Sequence, residues 1–152
     1  GILFKSARHL FIVPLIQTHS IVQEISILPL PWTKDWMLGI AHLNGMALPI
    51  TDFRLFCTDT PYVRVPRSES VIIFSESEWL YGLLVNTLIG MRDFEAVPLT
   101  LEIDKDLEII ESCISGQTMI DGQECLILNI QMLLQVEQFM KPVKLSSIAE
   151  RT

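Results

Sequence analysis

The chain has 152 residues, 49% hydrophobic and 19% charged, with a formal net charge of −7. That is ample apolar material for one domain with its own core, and it excludes a disordered chain. The acidic balance argues against a general nucleic-acid binder, because neutralising phosphates needs clustered Lys and Arg.

The first segments, "ILFK" (2–5) and "HLFIVPL" (9–15), are short and rich in aliphatic and aromatic residues, which predicts strands. Gly1 opens directly in the first of them, so residues upstream are expected. "VQEI" (22–25) alternates, which predicts Ile21, Gln23 and Ile25 on one strand face and Val22 and Glu24 on the other. In the polar-flanked "PWTKDW", Trp32 and Trp36 are expected to fill core or to support a partner surface. "HLNG" then turns into "MALPI": Asn-Gly is a strong hairpin signal, since both central residues of a type I′ turn need positive φ. "SVIIF" (70–74) and "WLYGLLV" (79–85) predict two further strands, with Trp79 and Tyr81 in the core. The acids from Asp93 to Glu111 predict a solvated loop face. "ECLIL" (124–128) predicts a last strand, and the apolar positions 130, 133, 134, 136, 139 and 140 predict a short amphipathic helix. These apolar runs are far below the ~20 residues that cross a bilayer as a helix.

The chain repeats itself. Gly39, Gly45 and Asp52 recur as Gly116, Gly122 and Asn129, 77 residues later. "LFIV" from Leu10 corresponds to "LYGL" from Leu80, and "VQEI" to "MRDF" (91–94). This predicts a single domain carrying a diverged duplication, roughly 10–56 and 80–134, with two similar small β units. The second copy holds seven or eight extra residues, most of them in its acidic stretch. Asp52 and Asn129 stand at equivalent places, each closing an apolar strand before a helix-like run. Asp and Asn share a side-chain oxygen that accepts from the free N–H groups of a helix N-terminus, whereas Asn cannot replace Asp as a general base. Both are therefore predicted structural caps. Gly39 and Gly116 mark a bulge or a close approach to another chain, two readings that sequence does not separate.

Catalytic patterns are missing from the sequence. His9, His19 and His42 are scattered singly, without the spacing of a metal site. Asp104 and Asp106 form an acidic pair, but "EIDKDLE" lacks the further oxygens and glycine of a calcium loop. No nucleophile elbow, phosphate loop or dinucleotide fingerprint occurs. The expectation is a protein with no catalytic residue, no cofactor and no metal. Cys57, Cys113 and Cys125 are an odd set without CxxC spacing, and no secretory leader is visible, which predicts reduced thiols in a cytoplasmic protein.

"VQEISILPLPWTKDWMLGIAHLNGMALPITDFRLF" resembles the central motif of CheW-like chemotaxis adaptors, in which a "VxEI" segment and a Pro-rich turn precede "GvxNLRGxvxPvvDLr". "WLYGLLVNTLIGMRDF" is similar to the family's "vGllVDeVxgv" strand, and "ISGQTMIDGQECLILNIQMLL" to its closing "GvxxldgxxxlllDldxLL". The likeness runs in order from about Leu3 to Leu134. "LFIVPL", "PW...GIA" and "IGMRDF" look most like the branch that serves type IV pilus twitching systems. The resemblance implies an all-β fold of two five-stranded SH3-like barrels with short helices. It also implies a non-enzymatic cytoplasmic adaptor that couples chemoreceptor cytoplasmic tips to the regulatory domain of a CheA-type histidine kinase, with no nucleic acid and no membrane insertion of its own. The residues it assigns to partner binding are Ile21, Glu24, Ile25, Gly39, Gly45, Gly82 and Leu88.

The chain departs from the family pattern at two places. The turn arginine is Asn44, with His42 where the family has asparagine, and the usual Asp after "GllV" is Asn86. Asn44 keeps the turn chemistry but cannot make the paired, charge-assisted hydrogen bonds of a guanidinium, so it joins the candidate partner residues as an altered contact. Two other readings stay open: a CheW-like regulatory module of a larger kinase or receiver-containing protein, and, from a different class, a small-ligand barrel or enzyme.

Overall fold

The computed structural model describes residues 1–76, 78–100, 102–136 and 139. Eleven strands are named among them: β1 (Ile2–Ser6), β2 (His9–Val13), β3 (Ser20–Val22), β4 (Ile27–Leu28), β5 (Met37–Leu43), β6 (Met46–Asp52), β7 (Ser70–Glu76), β8 (Trp79–Val85), β9 (Thr87–Met91), β10 (Ile114–Ile120) and β11 (Gln123–Leu128). Two short helices follow β6 and β11: α1 (Phe53–Thr58) and α2 (Ile130–Leu134). The strands form a five-stranded sheet, β10-β11-β2-β1-β9, and a six-stranded sheet, β3-β7-β8-β6-β5-β4. The architecture is the expected all-β one, consistent with two SH3-like barrels, the second carrying the two-residue β4 as an extra strand.

The apolar runs are explained by burial on both faces. In β7, Val71 and Ile73 enter the small core of their own sheet with Leu48, Ile50 and Leu84. Ile72 and Phe74, on the opposite face, join a central core shared by the two sheets. The first sheet does the same: Leu3, Ile12 and Ile127 point into its own core, while Ile2, Phe4, Phe11 and Val13 point to the centre. A strand buried on both sides loses the alternation of a half-exposed one and becomes a continuous hydrophobic run. At the centre Phe4 and Phe11 stack at 5.4 Å, and Phe53 meets both rings edge-on at 5.4 and 5.1 Å.

The repeat maps onto strands in an exchanged order. β6 lies parallel to β8, and β11 lies parallel to β2, so each hairpin-plus-helix unit joins a strand of the other repeat. β3 follows β2 in the chain but pairs with β7, and β9 follows β8 but pairs with β1. The expectation that each copy builds its own β unit is therefore corrected: each sheet takes strands from both copies. Equivalent bulges recur as well. The register slips between Met37 and Gly39 in β5 and between Ile114 and Gly116 in β10. A Cβ on Gly39 would overlap the Leu28 carbonyl, and one on Gly116 would press on the carbonyl of Val97.

The acidic segment is structured only in its second half. Residues Lys105–Cys113 form a 3-10 helix that buries Leu107, Ile110 and Cys113. Their spacing of three is the repeat of that helix type and puts them on one face, while Glu108 and Glu111 stay exposed. The expected solvated loop is found at Asp93, Glu95 and Glu102, which are exposed outside any helix or strand; from Lys105 on, the apolar period of three decides otherwise. In α2, Ile130, Leu133 and Leu134 are buried as the predicted amphipathic face requires. Met140, expected on that face, lies outside the described residues. Trp36 is buried against Phe56 and Phe139, but Trp79 is 69% exposed, which corrects its expected place in the core. No described helix is long and apolar enough to cross a membrane.

Because neither sheet can be completed by one repeat, residues 1–60 and 61–152 made as separate chains should each lack β-type circular dichroism, and mixing them should restore it. Independent folding of either half would contradict the exchanged pairing.

Candidate functional site

The eight predicted partner-binding positions separate by burial. Asn44 and Gly45 form the β5–β6 turn with φ values of 51° and 78°, both exposed, in the left-handed conformations that a type I′ turn demands. Ile21 is exposed on β3, opposite Ile72 of β7. Glu24 is exposed too, but not in a strand: β3 ends at Val22, and Glu24 has φ 54° in a bend. The predicted alternation of faces through "VQEI" is thereby corrected, because a left-handed residue breaks the two-residue period. Ile25 is half-buried on the small core of the second sheet. Leu88, opposite Phe4, is half-buried on the central core.

Gly39 and Gly82 are buried, which corrects their assignment as partner contacts. Gly39 lets β5 pass the Leu28–Pro29 backbone. A side chain on Gly82 would collide with Ile50 and Val71, so this glycine closes the packing of the second sheet. They shape the surface from beneath without being on it.

Glu24 and Ile25 line a shallow cleft of about 200 Å³ with Arg64, Pro66, Arg67 and Glu69. Arg64 binds Glu69 through two hydrogen bonds of 2.8 Å, which fixes its guanidinium at the cleft wall. Val22, Val71 and Leu84 also line the cleft, and Leu84 pairs with Asp52, so the cleft lies at the end of β6 away from the Asn44–Gly45 turn. Glu24 and Ile25 are thus placed at the Asp52 end of the second sheet, and Asn44 at the other end of the β5–β6 hairpin. Ile21 lies on the edge strand β3 next to the cleft residue Val22, and Leu88 belongs to the other sheet.

Beside the cleft lies a polar network whose centre is Asp52. Its Oδ1 accepts from the Leu55 N–H at 3.1 Å, the N-cap of α1, and Asn129 caps α2 in the same way through the Met132 N–H at 3.1 Å. The backbone N–H groups of both also find equivalent partners, the carbonyls of Trp36 and Cys113. Asp52 differs from Asn129 in a second contact: its Oδ2 accepts from the Tyr62 hydroxyl at 2.6 Å. Tyr62 has then spent its proton, so its oxygen needs a donor, and Asn86 Nδ2 supplies one at 2.7 Å. A carboxylate at position 86 could not donate, which is a local reason for Asn in place of the family's Asp. Arg54 sits over the Tyr62 ring at 4.3 Å. The loop after α1 is thereby held down by Tyr62, a residue that no sequence motif singled out.

Burial raises the Asp52 carboxyl above the ordinary carboxylate value of 3.8, against the lowering effect of its hydrogen bonds from Tyr62 and Leu55. Burial also raises the thiols of Cys57 and Cys113 and pushes Cys125 up to about 12. All three cysteines are free and buried, which suits inert core thiols rather than nucleophiles.

Two predictions follow from the Asp52 network. Asp52→Ala removes a cap and a charged hydrogen bond, and should lower unfolding free energy by about 2–4 kcal/mol in denaturant titrations. Asn129→Ala removes the cap alone and should cost about 1 kcal/mol. Equal losses would remove the Tyr62 contact from the account. The second concerns pH. A carboxyl whose folded pKa is raised favours the folded state below its unfolded value, and that contribution is lost as pH rises through the folded pKa. Asp52→Asn keeps the cap acceptor and removes the titration. The stability of the native chain relative to this variant should therefore fall as pH rises above about 4, read from paired denaturation curves.

The profile of the CheW-like domain family matches residues 1–138. Protein PilI of Pseudomonas aeruginosa is 28% identical over 94 residues, which are 62% of this chain and 52% of that protein. The chain thus matches about half the length of this curated relative. Among solved structures, the crystal structure of scaffolding protein TtCheW from Thermoanaerobacter tengcongensis superposes with a TM-score of 0.68 at 21% identity, covering 90% of this chain and 92% of that one. At that identity the superposition speaks for the fold, and the profile match over nearly the whole length speaks for descent: this chain belongs to the CheW-like domain family.

Proposed function

We propose that the chain is a single CheW-like domain, built on a diverged duplication, that acts as a non-enzymatic adaptor. In this reading it couples chemoreceptor cytoplasmic tips to the regulatory domain of a CheA-type histidine kinase, in the cytoplasm at receptor arrays. The observation that carries the reading is the profile match across residues 1–138. An output in type IV pilus twitching rests on the motifs quoted above and on the similarity to PilI.

The partner surface proposed for the kinase contact comprises the cleft that carries Glu24 and Ile25 and, at the other end of the β5–β6 hairpin, the Asn44–Gly45 turn. Two rigid features suit these places to docking. A type I′ turn holds Asn44 in place, and the Arg64–Glu69 pair and the Tyr62 anchor hold the loop that walls the cleft. Docking on a preorganised surface loses little conformational freedom. Asn44 presents a neutral amide where the family has a cation, so the matching partner is one without an opposed acid at that place.

Glu24 is exposed beside two arginines, so reversing its charge alters the cleft without touching the core. Glu24→Lys should weaken capture of the isolated kinase regulatory domain by about tenfold in calorimetric titration, while the melting curve stays in place. Native affinity in the folded variant would leave the cleft out of the interface.

A further inference from the structure

The cavity of about 480 Å³ on the first sheet brings together residues that the sequence keeps far apart. His9, at the start of β2, lies against Asp104 and Asp106, which flank the beginning of the 3-10 helix. His9 Nε2 is 3.6 Å from Asp104 Oδ2 and 3.3 Å from Asp106 Oδ2. Ligand atoms bound to one zinc-sized ion at about 2.0–2.1 Å in a tetrahedron stand about 3.3 Å from each other. One candidate atom from each of the three side chains can be chosen so that all lie within 4.8 Å of one another. No short sequence motif announces the set, because a strand of one repeat and the insertion of the other supply it.

Three further observations point to a cation. Asp104 occupies the N-cap position of the 3-10 helix yet makes no capping hydrogen bond, its carboxylate being turned toward His9 and Arg8. Asp106 Oδ1 is shut off from solvent and accepts no hydrogen bond, its charge met, among the described residues, only by Arg8 at 3.6 Å. The imidazole is only 14% exposed and packs edge-on against Phe11 at 6.3 Å, so the donor nitrogen is held in place. The positive charge now beside the acids is Arg8, 3.1 Å from Asp104 and 3.6 Å from Asp106, on a side chain that is 70% exposed and free to swing out. Glu102 and Lys5 also line the cavity.

We infer that His9, Asp104 and Asp106 form a binding site for one divalent transition-metal ion of the zinc class, which would clasp the insertion of the second repeat to the β1–β2 hairpin. One imidazole and two carboxylates suit such an ion better than magnesium or calcium, which take oxygen ligands alone. Three protein ligands leave a fourth position for water or for Glu102.

Calorimetric titration of the full chain with zinc chloride, under reducing conditions, tests the site. One saturable equivalent is expected, with a rise in melting temperature. His9→Gln and Asp106→Asn should each weaken binding at least about tenfold, since losing a ligand costs no less than losing a group that supports one. Arg8→Ala should leave zinc affinity equal or higher, because Arg8 competes with the ion. Magnesium chloride should give no saturable heat. Should His9→Gln fail to fold, Asp104→Asn, at a half-exposed carboxylate, takes its place in the comparison. No saturable zinc binding, equal affinity in the ligand variants, weaker binding in Arg8→Ala, or magnesium bound as tightly as zinc would each overturn the assignment.

Discussion

The structure depends on strands that are buried on both faces. β1, β2, β7, β8 and β11 each give one set of side chains to the interior of their own sheet and the alternate set to the shared centre. The two sheets are therefore one body, joined through a layer of Phe, Ile, Leu and Val in which Phe4, Phe11 and Phe53 pack ring on ring. At roughly 25 cal/mol per Å² of apolar surface removed from water, such a layer outweighs any surface ion pair of the molecule. The strand exchange between the repeats adds a topological constraint, because each sheet is incomplete without strands from both halves.

The helices are subordinate to that layer. α1 is six residues long and α2 five, too short to be stable by themselves. Each begins at a capping oxygen and immediately buries its first residue, Phe53 or Ile130, in the central core. The cap sets where the helix starts, and so decides which side chain reaches the centre. At Asp52 the same carboxylate also anchors Tyr62, linking the core to the loop that carries Arg64. A residue that reads as scaffolding in the repeat thereby also positions the wall of the candidate partner cleft.

The candidate surface shows how a fold gives one motif different duties. Of the residues assigned from the family resemblance, Asn44, Gly45, Ile21 and Glu24 reach solvent, Ile25 and Leu88 do so in part, and Gly39 and Gly82 shape the sheet from within. A glycine in a motif looks the same in either role, because its value is the absence of a side chain. Only the neighbour that would collide with a Cβ tells whether that absence serves a partner or the protein's own packing.

Sequence alone determined the elements that depend on local chemistry. The Asn44-Gly45 and Asp121-Gly122 turns follow from residues that tolerate positive φ, and the strands follow from β-branched and aromatic runs. The correspondence of Asp52 with Asn129, read from a repeat, identified a shared oxygen acceptor. The family was legible because many weak motifs stand in one order along the chain. Tertiary structure decided what depends on partners distant in sequence. It decided that each sheet is woven from both repeats, that Tyr62 and Asn86 complete the Asp52 network, and that Glu24 sits in a bend. It also decided that His9 meets Asp104 and Asp106. Pairing between strands and hydrogen bonds between side chains carry no local period, so nothing in the neighbouring residues announces them. They exist only once burial of the central layer has brought the two halves of the chain together.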